Sequence, residues 1–218
     1  MPYFPFHDVL LVHIPKTGGT SIERHLVQDA EQRGKVPSHQ PGPWFDSKAI
    51  QLYTDSYRGP GVSPQHQSLT TLLGGMCPRY RRETTAIIAV VRNPYARAVS
   101  ELVWRRFVTS ATPPPVVFKR LQECIRENRD AHMTPQWRFI TDTDGRINDR
   151  VHVMRTETLT DDMHAAGYSD YQGPTGARSW EHLLGPQSIH LINTVYKKDF
   201  ELFGYPIVGW SRAAPTPH

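Results

Sequence analysis

The stretch Leu10–Leu26, LLVHIPKTGGTSIERHL, decides the fold. It opens inside Asp8–His13, DVLLVH, a short and nearly continuous apolar run of the kind buried on both faces of a parallel sheet. Ile14-Pro15-Lys16-Thr17-Gly18-Gly19 interrupts the run, and Thr20 or Ser21 can cap the helix that follows, SIERHLVQDAEQR. A buried strand that empties through a glycine turn into a helix gathers backbone N–H groups and the positive helix end at one point. That point suits a phosphate group. Gly18 and Gly19 allow close approach to the backbone, Thr20 and Ser21 offer hydroxyl donors, and Lys16 can reach over the loop. The order departs from a Walker A loop, where lysine follows the second glycine and the next hydroxyl holds magnesium. Here the lysine comes first and no glycine opens the loop, which removes the main support for an ATPase or kinase. A tight strand–helix turn with an exposed lysine is the purely structural alternative.

Outward from this loop, Thr85–Val91 (TAIIAVV) is a second buried strand. Arg92-Asn93-Pro94 ends it, and Pro94 suits the first turn of a helix running Tyr95–Phe107. Arg92 therefore sits at the C-terminal edge of a strand, where α/β sheets place ligands. Ser100 follows eight residues later, two turns into the helix, and could share one phosphate with the guanidinium, whose fork matches phosphate geometry. Ser68–Leu73 is a short helix candidate ended by Gly74-Gly75. Pro113–Pro115 precede a helix over Val116–Asn128, Val151–Met154 is a third strand, and helices follow near Leu159–Ala166 and over Pro186–Phe200. Strands alternating with helices predict an α/β, P-loop-like domain, a central parallel sheet flanked by helices. One domain over residues 1–210 is expected. Residues 34–64, rich in Pro, Gly, Ser and aromatics, read as a loop-rich excursion able to close over a ligand, and 211–218 as a flexible tail.

Size and composition agree. The 218 residues suit a single core, and the formal charge of +4 favours anionic ligands without arguing for nucleic acid. Cys77 and Cys124 form no metal-ligand spacing and no disulfide framework, so no metal site and a reducing compartment are expected. No segment approaches the roughly 20 apolar residues of a membrane span, and the expected location is cytoplasmic.

Taken together, PKTGGTS and R-N-P-x-x-R-x-x-S resemble the two donor-binding elements of sulfotransferases that use 3′-phosphoadenosine 5′-phosphosulfate (PAPS). HQSLTTLL, PQWRFITDTDG, VMRTETL and YKKDFELFGY are similar to the carbohydrate branch that includes heparan sulfate 2-O-sulfotransferases. The resemblance spreads from Val9 to Tyr205. It implies that Lys16, Thr17, Gly18, Gly19, Thr20 and Ser21 bind the 5′-phosphosulfate and that Arg92 and Ser100 hold the 3′-phosphate. Lys16 would also stabilise charge on the oxygen between phosphorus and sulfur, with adenosine 3′,5′-bisphosphate as product and no metal required. The chain lacks the membrane anchor and paired cysteines of the large carbohydrate enzymes, and GPTGAR at Gly173–Arg178 matches poorly the late lysine-containing segment of the small-molecule branch. Adenine-binding residues stay unassigned.

Transfer to a hydroxyl needs a base, and HQSL resembles the base-bearing segment of the family, which nominates His66. A histidine that merely starts a short helix is its alternative. His132 and Gln136, in HMTPQ, resemble a segment near the acceptor, and the flanking Arg129 and Arg138 could steer an anionic glycan; solvated charges on a helix-ending loop read equally well. By family position, Arg155 and Glu157 form a structural pair beneath the nucleotide. The expected acceptor is a glycan or small metabolite, without nucleic acid or a membrane span. A small-molecule kinase and a non-catalytic nucleotide-binding module are the competing readings.

Overall fold

The computed structural model describes residues 3–4, 6–34, 62–73, 84–174 and 180–209. The expected excursion falls almost wholly outside these residues, as do the expected tail, Gly74-Gly75 and Cys77.

Four strands form one sheet in the order β1-β2-β3-β4. Tyr3–Phe4 (β1) runs antiparallel to Val9–Val12 (β2), while Ala86–Val91 (β3) and Val151–Arg155 (β4) extend the sheet in parallel. Register places Leu10 opposite Ile87 and Val91 opposite Arg155. The mostly parallel sheet agrees with the apolar runs that predict it. At two residues, β1 is too short to show a periodicity.

The helices in chain order are Gly19–Gln32 (α1), Leu69–Thr71 (α2), Pro94–Trp104 (α3), Pro114–Glu127 (α4), Trp137–Ile140 (α5), Leu159–Ala165 (α6), Pro186–Val195 (α7) and Lys197–Phe203 (α8). Because successive side chains of a strand point to opposite faces, the sheet feeds two cores. Leu10, Val12, Ile87, Ala89 and Val91 pack with Tyr95, Leu102, Leu121, Ile192 and Phe200 from α3, α4, α7 and α8. Val9, Leu11, Ile88, Val90 and Met154 pack with Ile22 and Leu26 of α1 and Leu159 and Met163 of α6. Among the described residues no helix is long and apolar enough to cross a membrane.

The expected terminal helix Pro186–Phe200 is two helices, broken at Tyr196. The break lets the buried Tyr196 donate its hydroxyl to the Met133 carbonyl at 2.9 Å. It also turns Asp199 toward the start of α5, where the carboxylate accepts the Gln136 and Trp137 N–H groups at 2.9 Å each. Burial raises the Asp199 carboxyl against these donors.

Candidate active site

The C-terminal ends of β2, β3 and β4 lie side by side, and the chain leaving β2 is held there by its carbonyls. Thr17 Oγ1 donates to Ile14 O at 2.9 Å, Arg97 Nε to Pro15 O at 2.9 Å and Arg92 Nη1 to Lys16 O at 3.2 Å. Thr156 Oγ1 donates to Thr17 O and, at 3.2 Å, to Val91 O. Ser21 closes the series by donating its hydroxyl to Gly18 O at 2.7 Å. Five successive carbonyls are thus engaged; in the first turn of α1 the Ser21 N–H bonds the Gly18 carbonyl at 3.0 Å, and the Gly19 and Thr20 N–H groups precede the helix's own ladder. This polarity is what an anion requires.

Two backbone positions make the turn possible. Gly18 caps α1 at φ +104, a region that favours glycine, and a Cβ there would stand 3.2 Å from Leu159 Cδ2. Gly19 lies against the His13 ring, where a Cβ would stand 3.1 Å from two ring atoms. Lys16 itself has φ +68. Its ammonium lies 4.9 Å from the centroid of the Trp104 ring. Burial pushes the ammonium down to about 8, Glu101 opposing and Arg92 adding to the effect.

Beside the loop, three imidazoles follow one another, each held at Nδ1 by a carboxylate. His13 Nδ1 is 2.6 Å from Glu23, His66 Nδ1 2.7 Å from Asp130, and His132 Nδ1 2.7 Å from Glu101. The ring centroids of His13 and His66 are 5.3 Å apart and those of His66 and His132 5.0 Å. Trp104 continues the series, 5.0 Å from His132. Burial pushes His66 down to about 4, although the Asp130 hydrogen bond opposes it, so the ring is neutral at physiological pH. With Nδ1–H directed at Asp130, Nε2 carries the free lone pair.

Asp130 reaches His66 because the backbone around it is bent: Asn128, Asp130 and Ala131 all take positive φ, at 39, 50 and 60°. Three such residues in four positions store strain that the surrounding contacts must hold. Ser63 supplies one of these, donating its N–H at 2.5 Å and its hydroxyl at 2.8 Å to the Asp130 carboxylate. Glu101 is fully buried between His132 and Arg105 Nε at 2.6 Å. Burial alone would raise its carboxyl, but the two partners hold it below the usual range.

The sulfotransferase family profile matches residues 3–206, nearly the whole described fold. The chain belongs to the sulfotransferase family. Comparison with curated proteins and with solved structures finds no match. Sulfotransferase membership supports sulfuryl transfer in general.

The structure brings Lys16, Thr17, Gly18, Gly19, Thr20, Ser21, Arg92, His66 and His132 of this sulfotransferase into one region, at the strand ends and the loops beside them. Ser100 lies half-buried on α3. Gln136 is completely buried and its amide serves the backbone of Arg92, accepting its N–H and donating to its carbonyl. Arg129 is exposed and paired with Glu127 at 3.1 Å. Arg155 and Glu157 meet on Tyr205: Arg155 packs over its ring, and Glu157 accepts its hydroxyl at 2.8 Å and the Asn93 N–H at 2.8 Å. Sequence reasoning missed Asp130, Glu101, Glu23 and His13. Asp130 lies two residues before His132, and that short spacing was the one visible signal.

Proposed function

We propose that this sulfotransferase moves the sulfuryl group of PAPS to a hydroxyl of a carbohydrate acceptor, with His66 as base and Lys16 beside the leaving oxygen. In the reaction a bond forms between the acceptor oxygen and sulfur, and the bond from sulfur to the bridging phosphate oxygen breaks. Adenosine 3′,5′-bisphosphate departs. His66 Nε2 takes the acceptor proton while Asp130 balances the imidazolium that forms. The Lys16 ammonium faces the charge growing on the bridging oxygen, a role that needs no metal. Gly18, Gly19, Thr20 and Ser21 would receive the 5′-phosphosulfate, and Arg92, with Ser100, the 3′-phosphate.

One observation carries this reading. The neutral, carboxylate-oriented His66 and the half-buried Lys16 stand at the two ends of an unbroken series of ring contacts through His132 and Trp104. The fit to the donor is supported by the hydrogen-bonded carbonyls of the loop and by a guanidinium already at its side. The exposed indole of Trp104, at 58%, gives an acceptor ring an apolar surface between base and lysine, which supports a sugar. A reducing, cytoplasmic setting is part of the proposal, in keeping with the buried free thiol of Cys124, which burial pushes up to about 11.

Calorimetric titration with adenosine 3′,5′-bisphosphate in the absence of magnesium, beside 5′-AMP and ATP, tests the donor. Binding that depends on the 3′-phosphate, followed by transfer of labelled sulfuryl to a glycan, is the expected result. Preference for ATP with magnesium would return the kinase, and binding without transfer to any hydroxyl acceptor would leave a nucleotide-binding module.

A further inference from the structure

We propose that His66, His132 and Asp130 form a binding site for one divalent transition-metal ion of zinc's class, and that the bound ion switches sulfuryl transfer off. The site stands on its own geometry, whereas the inhibition rests on the reading of His66 as the base.

One ligand atom from each of the three residues falls within 4.8 Å of the other two. Zinc holds imidazole nitrogen and carboxylate oxygen at about 2.0–2.2 Å, so its ligands stand about 3.3 Å apart. Side-chain adjustments of about 1 Å would close the set. His66 and His132 are buried, and Asp130 sits on the strained turn between them in sequence, so the three cannot scatter far.

The donor types select the ion. Two imidazoles with one carboxylate suit zinc, copper or nickel, whereas magnesium and calcium prefer all-oxygen sets. The surroundings match what such ligands need. A metal-binding histidine gives its other ring nitrogen to a carboxylate, and His132 does so to Glu101 at 2.7 Å, leaving Nε2 free. Asp130 is fixed by the N–H and hydroxyl of Ser63. Glu23, Glu101 and Asp130 surround the three imidazoles with negative charge. The arginines around His132 are engaged elsewhere: Arg97 on the Pro15 and His132 carbonyls and Arg105 on Glu101 and Glu127.

An ion shared by Asp130 and His66 takes Nδ1, the ring nitrogen that faces the carboxylate, and leaves the ring proton on Nε2, so the lone pair that would accept the hydroxyl proton is lost. Transfer then stops without any loss of nucleotide binding, since Lys16, Arg92 and the loop are not ligands.

The test titrates zinc chloride into the metal-free full chain by calorimetry, with magnesium chloride as comparison, and records the visible absorption of the cobalt-loaded protein. One equivalent should bind, with cobalt bands of tetrahedral intensity and no response to magnesium. His132→Ala and Asp130→Asn should each weaken zinc by more than about 10- to 100-fold, the loss seen when residues that merely orient metal ligands are removed. His190→Ala, an exposed histidine on α7, should bind as the parent does. Absence of saturable binding, or equal affinity in the His132 and Asp130 variants, overturns the site. Zinc should abolish transfer while leaving the affinity for adenosine 3′,5′-bisphosphate unchanged. Full transfer in the zinc-loaded protein overturns the inhibition, and a chain inactive with every acceptor still has its metal site decided by calorimetry.

Discussion

The side-chain amide of Gln136 brackets the backbone of Arg92, accepting its N–H at 2.9 Å and donating to its carbonyl at 2.9 Å. This is the pattern a neighbouring strand would offer, supplied by one side chain just past the end of β3. Asp199 holds Gln136 in turn through the Gln136 backbone N–H. The arginine that a 3′-phosphate would meet is therefore aimed from behind by two buried polar residues.

Removing the bracket and removing the arginine should have different signatures. Gln136→Ala leaves the Arg92 N–H and carbonyl without these partners in a half-buried place, and should destabilise the fold by about 1–3 kcal/mol. Thermal melting checks this, and nucleotide affinity should fall as well. Arg92→Ala should fold normally, because Gln136 reads only the backbone, and should weaken adenosine 3′,5′-bisphosphate by about 10- to 100-fold in Kd. An unchanged Kd would end the assignment of the 3′-phosphate to Arg92.

His66→Ala should lower kcat by about 10²- to 10⁴-fold, the range of a positioned base, while nucleotide affinity is kept. Asp130→Asn keeps the shape but removes the charge that balances the imidazolium, so kcat should fall with little change in Kd. Steady-state kinetics with parallel calorimetry separates the two quantities. Wild-type turnover in His66→Ala would move the base elsewhere.

The alkaline side of the pH profile should report Lys16. Burial sets its ammonium near 8, so the charged form is present below that pH and is lost as pH rises through it. Turnover should decline above about pH 8. Lys16→Arg should be slower but without that decline, because a guanidinium stays charged. Trp104→Ala, which lets water reach the ammonium, should move the decline to higher pH. A profile unaffected by either substitution would detach Lys16 from the rate.

Glu101 is a stability determinant under the site. It is fully buried and bonded to both His132 and Arg105. Glu101→Leu leaves His132 without its anion and Arg105 with Glu127 alone, and should cost about 3–5 kcal/mol, seen as a lower midpoint in chemical denaturation. Little or no loss would mean that the three-residue network contributes nothing net.

Much of this architecture was readable in the primary structure, for physical reasons. DVLLVH and TAIIAVV are apolar on both faces because β2 and β3 are covered on both sides, and the glycines of the loop mark a turn that a Cβ would obstruct. Lys16, His66 and Arg92 stood out because each lies in a local pattern. The carboxylates did not, because Glu23, Asp130 and Glu101 meet their histidines across 10, 64 and 31 residues, and no periodicity registers such a distance. Gln136 illustrates a related cause: a polar residue in HMTPQ reads equally well as ligand-facing or as part of a solvated loop, and its burial against the Arg92 backbone shows only in the structure. The break at Tyr196 was invisible because the residues on both sides keep an amphipathic pattern through it.

The five carbonyls engaged between Ile14 and Gly18 bear on speed as well as on affinity. Three of their donors lie outside the loop and α1: Arg92 and Thr156, just past the ends of β3 and β4, and Arg97 on α3, so the loop cannot shift without dragging the neighbouring strand ends and Arg92 along. A ligand arriving there meets a template already set, and little ordering entropy is left to lose on capture. Association should then proceed in a single fast phase, with no slow isomerisation of the loop behind it.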